Sequence, residues 1–508
     1  MIKIMPLLAP ALILALTGCS LAPEYQRPEM ELPQTWDATG SIAIQTRWWE
    51  RFHDETLNAL VKEALAHNKN IAQAMASVRQ AQAALGIARD ALLPVPAASL
   101  DGSRTMARED MSPTALQHGA RNSNSFSGSL AASWTLDLWG KYWNASESAR
   151  ASLVATEAAR DNVILTVAAS TVESWFWLSA YTWQEEIAES VLKNREDSLT
   201  LYQNRFDNGQ ISEYDLLSIR ANVETARNAL ASARIAKNAA ETSLAVLLGR
   251  SPAEIMKMNN LKAPSSLMTS LPTTPALPAD MPSRLLEQRP DIRQAEANLQ
   301  AANYDIGVAR AEFFPSFSLT GLLGTASPEL NELFRGFNAY SMISGGLSLP
   351  LNFWTIKRGV DSAQAAKDSA IATYELTVLN AFKEVRDALV QQREYANSVM
   401  ALTRQVEYLT KAVEHARTRY DSGFASYLDL LTSESNLFTA QQSLAAAHAQ
   451  HLVSIAEVCL ALGGGWQDGA FQPQPEDQTA QTPAAPAETE RTQAEQAQTA
   501  PAENADAR

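Results

Sequence analysis

An internal repeat constrains the fold of this chain more than any other feature of its sequence. Residues 71–94 recur as residues 292–315, with the same Gly-X-Ala-Arg step and the same closing proline. Residues 205–217 recur as residues 419–431, again with a shared glycine, serine and aspartate. The length alone would suggest about three domains. The recurrence instead predicts two repeats of one elongated unit.

The two repeats, at residues 57–280 and 281–466, are each predicted to contain the same series of elements. The series is a short helix, a medium helix, a strand, a loop, a strand, a very long helix, a turn and a long helix. The medium helices are predicted at residues 70–92 and 291–313, because a proline follows shortly after each of them.

The very long helices are predicted at residues 140–208 and 358–421, which contain no proline and, after their first two residues, no glycine. Each would have about 65 residues and would extend over about 100 Å. Ordinary globular domains do not need helices of this length. A soluble coiled-coil rod would show the same helical pattern, so the helices alone leave the class of protein open.

Each very long helix is predicted to end at a tip where the chain doubles back. Gly209 and Gly423 are expected to take the left-handed conformation that closes a helix, and Ser212 and Ser426 to cap the next one. The returning helices are predicted at residues 212–248 and 426–461. A medium and a returning helix stacked end to end would match one very long helix.

Four strands argue against a soluble helical rod. In residues 125–136 apolar side chains alternate strictly with small polar ones, residues 316–324 and 341–349 repeat the alternation, and residues 97–105 do so more weakly. Each strand has about the length that a tilted strand needs to cross a bilayer. A half-buried sheet of a soluble protein would give the same alternation.

If the strands cross a membrane, the chain must oligomerise. Four strands cannot close a barrel, because single-chain barrels start at about eight strands and an open edge in lipid leaves backbone groups unpaired. Two chains would supply eight strands and three chains twelve. The predicted loops between the strands, at residues 107–124 and 327–338, are modest, which argues against an adhesin.

The first residues indicate a signal peptide, at residues 1–18, that ends in a lipobox. One lysine is followed by an apolar run too short to span a bilayer, and Leu-Thr-Gly leads directly to Cys19. Lipoprotein processing would acylate Cys19, so residues 19–56 are predicted to form a lipidated N-terminal segment. Ser20, standing where aspartate would retain a lipoprotein in the inner membrane, predicts sorting to the outer membrane.

Composition and motifs give catalysis no support. The six histidines show no metal-ligand spacing and the two cysteines lie far apart, so no catalytic, metal or cofactor site is predicted. Cys459 is expected to be a small buried side chain. The net charge of −15 argues against nucleic-acid binding. Glycines 463–465 are expected to end a helix, and residues 467–508 to form a disordered acidic tail rich in Ala, Gln and Pro.

Several motifs carry a resemblance to one family. They are Ala-Pro-Glu-Tyr-Gln-Arg-Pro after the lipobox, Trp48-Trp49, Arg-Pro-Asp-Ile-Arg from Arg289, and Ala-Arg-Ala-Glu-Phe-Phe-Pro-Ser-Phe from Ala309. Over nearly its whole length the chain resembles the TolC-like outer-membrane factors. The resemblance is to the lipoprotein branch (NodT/OprM-like) that serves resistance-nodulation-division efflux pumps.

The resemblance implies an α+β membrane protein that forms a homotrimer. Three chains would build a twelve-stranded β-barrel in the outer membrane, four strands from each, continued through the periplasm by a long α-helical barrel with an equatorial belt. The implied function is the non-enzymatic exit duct of a tripartite efflux pump for drugs or other small molecules. The implied partners are a periplasmic adaptor (membrane fusion) protein, an inner-membrane resistance-nodulation-division pump and outer-membrane lipid, with no nucleic acid.

The resemblance also implies a periplasmic gate at the helix tips. Asp215 and Asp429 match aspartates that ring the closed aperture, and Tyr420 matches a tyrosine of the restraining network. The six carboxylates of a trimer would attract cations, and their crowding should raise some carboxyl pKa values. The alternative is that both aspartates are ordinary first-turn charges, favoured by the helix dipole.

The chain departs from the family pattern at two positions near the gate. Thr432 stands where some relatives have a second aspartate, and Ala425 where some have a restraining arginine. Arg205 and Arg419 are possible substitute partners.

Two rival functions remain open from the sequence: a duct for type I protein secretion and a non-channel structural lipoprotein of the envelope. The alternating strands argue against the structural spacer, and the lipobox favours small-molecule efflux over protein secretion.

Overall fold

The computed structural model describes residues 20–31, 47–105, 123–257, 263–264, 289–335 and 338–464. The signal peptide, Cys19, the short helix expected to open the second repeat, most of loop 107–124 and the tail 467–508 lie outside the described residues.

The described part of the first repeat follows the predicted order. Asp54 caps its first helix by accepting hydrogen bonds from the backbone N–H groups of Thr56 and Leu57. Its other carboxylate oxygen accepts a hydrogen bond from the buried indole of Trp175 at 2.8 Å. The elements are α1 (Glu55–His67), α2 (Lys69–Asp90), β1 (Val95–Thr105), β2 (Ser123–Leu136), α3 (Lys141–Asp207) and α4 (Glu213–Leu247).

The second repeat shows the same series from its medium helix onward. Its elements are α5 (Pro290–Ala311), β3 (Ser316–Ser327), β4 (Ala339–Ser348), α6 (Phe353–Asp421) and α7 (Tyr427–Ala461). The predicted start of the very long helix at residue 358 is wrong, because α6 begins at Phe353 and contains Gly359. A lone glycine costs a helix about 1 kcal/mol, which does not stop a helix of 69 residues.

The shorter helices pack end to end along the two very long helices. α3 has 67 residues and α6 has 69, so each extends over about 100 Å. α2 lies beside the part of α3 around Arg160. α4 lies beside the rest of α3, where Arg227 pairs with Glu196 at 2.9 Å and Arg234 with Glu185 at 3.1 Å.

Matching hydrogen bonds join the stacked helices in both repeats. Where α4 ends and α2 begins, Asn68 Nδ2 donates to the carbonyl of Leu247 at 2.7 Å. Where α7 ends and α5 begins, Arg289 Nη1 donates to the carbonyl of Ala461, also at 2.7 Å. Each bond satisfies a carbonyl that the end of a helix leaves without an intrahelical partner.

The four strands form one antiparallel sheet in the order β1-β2-β3-β4. In its register Leu130 lies opposite Leu323, whereas Ser133 lies opposite Thr320 and Thr320 opposite Ser344. Because directly opposed residues point to the same side of a sheet, Leu130 and Leu323 share one face, and Ser133, Thr320 and Ser344 share the other.

The other described residues do not cover the apolar face of the sheet. Leu130 is 64% exposed, Leu323 63% and Ile343 83%. A half-buried sheet of a soluble protein would cover side chains of this kind. Within the described residues β1 and β4 each pair on one side only, so their outer edges are available to neighbouring chains.

The helices, by contrast, enclose a buried core. Ile292, Tyr374, Val378 and Val458 form a cluster where α5, α6 and α7 meet. α3 and α7 each contain an 18-residue window apolar enough to cross a membrane, but 67% and 78% of those windows are buried within the fold. They are therefore core helices of the bundle rather than candidate membrane spans.

Candidate functional site

Aromatic side chains collect where the sheet meets the helices. The indole N–H of Trp134 donates to the carbonyl of Leu92 at 2.9 Å, and that of Trp139 to the carbonyl of Pro315 at 2.8 Å. Trp139 stacks on Phe314, with ring centroids 4.6 Å apart. Exposed Trp143 and Trp354 follow in the first turns of α3 and α6. Such a belt is typical of a membrane–water interface.

An N-terminal strap, residues 20–31, lies along α5 and reaches this aromatic belt. Ser20 Oγ donates to Asn144 Oδ1 at 2.7 Å, in the first turn of α3. Farther along the strap, the guanidinium of Arg27 donates two hydrogen bonds of 2.8 Å to the carboxylate of Glu296. These polar contacts position the first described residue of the chain beside the sheet.

At the opposite end of the helices, Gly209 and Gly423 turn the chain back with φ angles of +68° and +78°. The residue after each glycine donates its N–H to the carbonyl of Arg205 or Arg419, in both cases at 2.8 Å. This is the Schellman arrangement, in which a left-handed glycine satisfies the last carbonyls of a helix. The two tips are therefore built in the same way.

Asp215 and Asp429 occupy the same position of the two returning helices and form capping boxes there. Ser212 Oγ accepts from the N–H of Asp215 at 3.2 Å, and its own hydroxyl donates to Asp215 Oδ2 at 2.7 Å. Ser426 and Asp429 repeat this pair of contacts at 3.2 and 2.9 Å. Both aspartates thus lie in the first turn of a helix and complete its capping box. This position is compatible with a second role in the trimer.

The electrostatics of Asp429 in the single chain favour its ionised form. Hydrogen bonds from the Ser426 hydroxyl and backbone N–H, with a smaller contribution from Arg419, lower the pKa of its carboxyl. Within the described part of the chain, neither Arg205 nor Arg419 forms an ion pair with Asp215 or Asp429. Any rise in pKa from crowding would have to come from the other chains.

Tyr420 lies in a cluster of three tyrosines. The cluster joins the hairpin of α3 and α4 to the hairpin of α6 and α7. Its ring centroid is 5.8 Å from that of Tyr202 on α3 and 5.8 Å from that of Tyr427 on α7, with edge-to-face geometry. The guanidinium of Arg205 lies 5.3 Å from the Tyr202 ring centroid. Burial and a hydrogen bond with Tyr420 raise the pKa of Tyr202.

Of several contacts between α3 and α7, this cluster lies closest to the tips. We call the line along which α3 packs on α7 the α3–α7 seam. Gln184 and Gln442 each donate their side-chain amide to the other's backbone carbonyl, at 3.1 Å. The remaining contacts, in order from the sheet towards the tips, are Glu173 near Glu457, Trp183 against His448, Arg195 with Glu434, and Tyr202 against Tyr427.

The described residues offer packing and charge rather than reactive groups. No group of three or more His, Cys, Asp or Glu that could hold a metal ion occurs among them. Cys459 is buried, and burial raises the pKa of its thiol to about 12, so it lacks the thiolate that a nucleophile needs.

Sequence reasoning identified the tip residues but missed the belt and the seam. The belt had a readable signal, because Trp139, Trp143, Phe314 and Trp354 lie just beyond the strand ends. Arg195 and Glu434 had none, because no periodicity within either helix links two residues so far apart in the chain.

Most of the chain is similar to proteins of one known family. The family model described as Outer membrane efflux protein matches residues 60–250 and 281–464. The cation efflux system protein CusC of Escherichia coli O6:H1 is 32% identical over 462 residues, which cover 89% of this chain and 97% of that protein. The toluene efflux pump outer membrane protein TtgC of Pseudomonas putida is 32% identical, with 90% and 95% covered.

The fold is also similar to that of solved outer membrane channels. The CmeC outer membrane channel of Campylobacter jejuni is similar with a TM-score of 0.80 at 29% identity, and the match covers 89% of this chain and 96% of that one.

Proposed function

The chain belongs to the outer membrane efflux protein family, and we propose that it acts as a passive, gated exit duct rather than as an enzyme. It is an efflux channel of the outer membrane with a large helical portion in the periplasm. Channels of this family are trimers that combine a β-barrel with a helical barrel. Three sheets of four strands therefore supply a barrel of twelve.

The observation that carries the duct is the exposed apolar face of the sheet. Leu130, Leu323 and Ile343 on this face are more than half exposed in the single chain, whereas the opposite face carries serine and threonine. Lipid outside and water inside would satisfy both faces at once. The aromatic belt, at the ends of the strands that meet the helices, supports the same placement.

The gate is proposed at the tips. Asp215 and Asp429 would ring the aperture in three chains, and Tyr420 would restrain it through the tyrosine cluster. Arg419 supports Asp429 electrostatically, while Arg205 contacts Tyr202 rather than an aspartate. The two arginines would therefore act differently, one on the charge of the ring and one on the cluster.

We also propose that Cys19 carries a lipid anchor. Ser20, the residue that follows it, lies at the level of the aromatic belt, bonded to the first turn of α3. A lipid attached at this level would enter the membrane beside the barrel without stretching the strap.

The exported substrate is proposed to be a small molecule or ion chosen by other proteins. The named relatives serve cations in one case and toluene in the other. Because ducts of one architecture belong to systems for such different cargoes, the duct itself would not select the cargo. Selection would then belong to an inner-membrane pump, coupled to this chain by a periplasmic adaptor.

Single-channel conductance in planar bilayers tests the duct and the gate together. The double variant Asp215→Asn, Asp429→Asn removes the charge of the proposed ring but keeps an oxygen that can cap each helix. Glu213→Gln is the matched control, an acid of the same first turn outside the capping box. We expect a small wild-type conductance, a clear rise in the double variant and no change in the control.

Other outcomes separate the parts of the proposal. A double variant that conducts as the wild type does would remove the aspartate ring and keep the duct. Verified trimers that form no channel would contradict the duct and favour a structural envelope lipoprotein.

A further inference from the structure

The strands of the sheet carry very little charge. Across β1 to β4, which the structure describes in full, Asp101 and Arg104 are the only charged residues, and both lie on β1. They are three positions apart, and successive side chains of a strand point to opposite faces. The two charges therefore lie on opposite faces of the sheet.

Asp101 lies on the small polar face. It is directly opposite Ser127, which is six positions from Ser133 on β2 and therefore shares its face. Two positions before Asp101, Ser99 joins Ser129 through their hydroxyls at 2.8 Å on this face. The exposed carboxylate of Asp101 is thus surrounded by hydroxyl groups.

Arg104 lies on the apolar face, next to the outer end of β1 at Thr105. It is opposite Asn124, which is six positions from Leu130 and shares the face of that leucine. At this height a long basic side chain on the lipid side reaches the headgroup region. Arg104 is therefore a charge of opposite sign, on the same strand, that does not face the lumen.

Asp101 lies in the outer half of the sheet. β1 begins at Val95, close to the aromatic belt, and Asp101 follows about 20 Å farther along the strand. Its partner Ser127 lies opposite Ala326, the second-last residue of β3. The three Asp101 carboxylates of a trimer therefore lie at one height, towards the outer mouth of the barrel.

The strands that flank β1 in a closed barrel do not neutralise this charge. On one side lies β2 of the same chain and, because the order of the sheet is β1-β2-β3-β4, on the other lies β4 of the next chain. Neither β2 nor β4 contains a charged residue. Asp101 is therefore the one charge that the strands of each chain place in the lumen.

The width of the barrel decides whether three such charges act on a solute at its axis. Twelve strands about 4.8 Å apart and tilted by about 40° enclose a backbone ring of about 12 Å radius. An inward carboxylate then lies about 8 Å from the axis, within the screening length of about 10 Å at 0.1 M salt. Three charges at this distance enrich monovalent cations on the axis about threefold and deplete anions equally, even at the dielectric constant of water.

We propose that Asp101 determines the charge specificity of the duct at its outer end, where three copies favour cationic solutes over anionic ones. This inference rests on the proposed function, because it requires a barrel of three chains with the small polar face inside. It places a charge filter far from the tips, so that opening and charge preference are set at different ends of the molecule. Anionic solutes should then cross the barrel more slowly than cationic solutes of the same size.

The reversal potential of single channels in a KCl gradient tests the filter. All channels carry Asp215→Asn and Asp429→Asn, so that the proposed ring at the tips adds no charge of its own. Asp101→Asn should lower the permeability ratio of K⁺ to Cl⁻ by about two- to tenfold. Arg104→Gln, the matched control on the opposite face, should leave the ratio unchanged, and Asp101→Glu should preserve it.

The outcomes distinguish the filter from the duct itself. Channels that open but keep their permeability ratio in Asp101→Asn would overturn the filter and leave the duct in place. A change in Arg104→Gln alone would also overturn the filter, because Arg104 would then be the residue in the lumen. Verified trimers that form no channel would contradict the duct and the filter with it.

A second measurement does not depend on the tips. Ser127→Cys places a thiol opposite Asp101, and Cys459, whose thiol is buried with a pKa of about 12, does not compete with it. In purified trimers a trimethylammonium-ethyl methanethiosulfonate should modify this thiol faster than a sulfonato-ethyl one, relative to trimers without Ser127→Cys. Asp101→Asn should lower the ratio of the two rates by about two- to tenfold. An unchanged ratio would overturn the proposal.

Discussion

At the scale of single residues, the same sequence position has different surroundings in the two repeats. Gly86 and Gly307 match in the internal repeat, and both lie in medium helices. A Cβ at Gly307 would lie 2.7 Å from Asn144 Nδ2 and 2.8 Å from the backbone nitrogen of Ala22, whereas a Cβ at Gly86 meets nothing within 4 Å. The strap lies against Gly307, so this glycine allows a close approach that Gly86 does not need.

The first prediction compares alanine at these two glycines. Gly307→Ala should displace the strap and destabilise the protein by about 1–3 kcal/mol, as overpacking does. Gly86→Ala should stabilise its helix by about 0.5–1 kcal/mol. The midpoint of thermal unfolding of the purified trimer measures both. Changes of the same sign in the two variants would mean that the strap does not occupy this groove.

At the scale of elements, the sequence predicts most of the helices because their signals are local. Proline after the medium helices, glycine at the tips and serine at the caps each act within a few residues, and the structure has all of them in place. The predicted start of α6 is wrong by five residues. Residues 353–357 carry no helix signal strong enough to outweigh Gly359, which follows them.

The packing between elements could not be predicted in the same way. The tyrosine cluster brings Tyr202 to Tyr420 and Tyr427, and the strap brings Arg27 to Glu296. Contacts of this kind depend on how helices far apart in the chain are rotated about their axes, which the apolar stripe fixes only approximately. The sequence therefore located the tips but not the side chains that restrain them.

The second prediction concerns two histidines on the α3–α7 seam. Burial lowers the pKa of both His448 and His451 below the value of 6.5 expected in an unfolded chain. The unfolded state therefore takes up protons near pH 6.5 that the folded state does not accept. The contribution of these groups to stability is present above that pH and is lost as the pH falls towards their lowered pKa values.

The double variant His448→Leu, His451→Leu should lose less stability between pH 7 and pH 5 than the wild type, by about 1 kcal/mol or more. Leucine suits the site, because three of the four ring nitrogens lack a hydrogen-bond partner in the described part of the chain. Thermal unfolding at both pH values measures the difference, with exposed His415→Gln as control. Parallel curves for wild type and double variant would contradict the assignment.

Two carboxyls on the same seam act in the opposite direction and must be kept constant in that comparison. Burial raises the pKa of Glu173, and burial together with Glu173 raises that of Glu457. Their protonation as the pH falls favours the folded state. Because both remain in the wild type and in the histidine variant, their contribution cancels in the difference.

At the scale of the whole molecule, one chain is an incomplete object. Within the part of the chain that the structure describes, its sheet has an uncovered apolar face and the outer edges of β1 and β4 are unpaired. Neither feature is stable in water. Both are resolved when three chains close a barrel in lipid, and the strict alternation of the strands predicts which side chains meet the lipid without any knowledge of the partner chains.

The last prediction uses that alternation to test which face is which. Leu323 and Thr320 lie three residues apart on β3, on opposite faces of the sheet. Leu323→Arg would place a charge in lipid, at a cost of about 2–4 kcal/mol in each chain near the bilayer centre. Thr320→Arg would place the same charge in the aqueous lumen. The yield of heat-resistant trimers in the outer membrane should therefore collapse for Leu323→Arg and persist for Thr320→Arg, whose channels should also become less permeable to cations. The reverse pattern would mean that the faces are assigned the wrong way round, and equal yields would mean that the sheet does not face lipid at all.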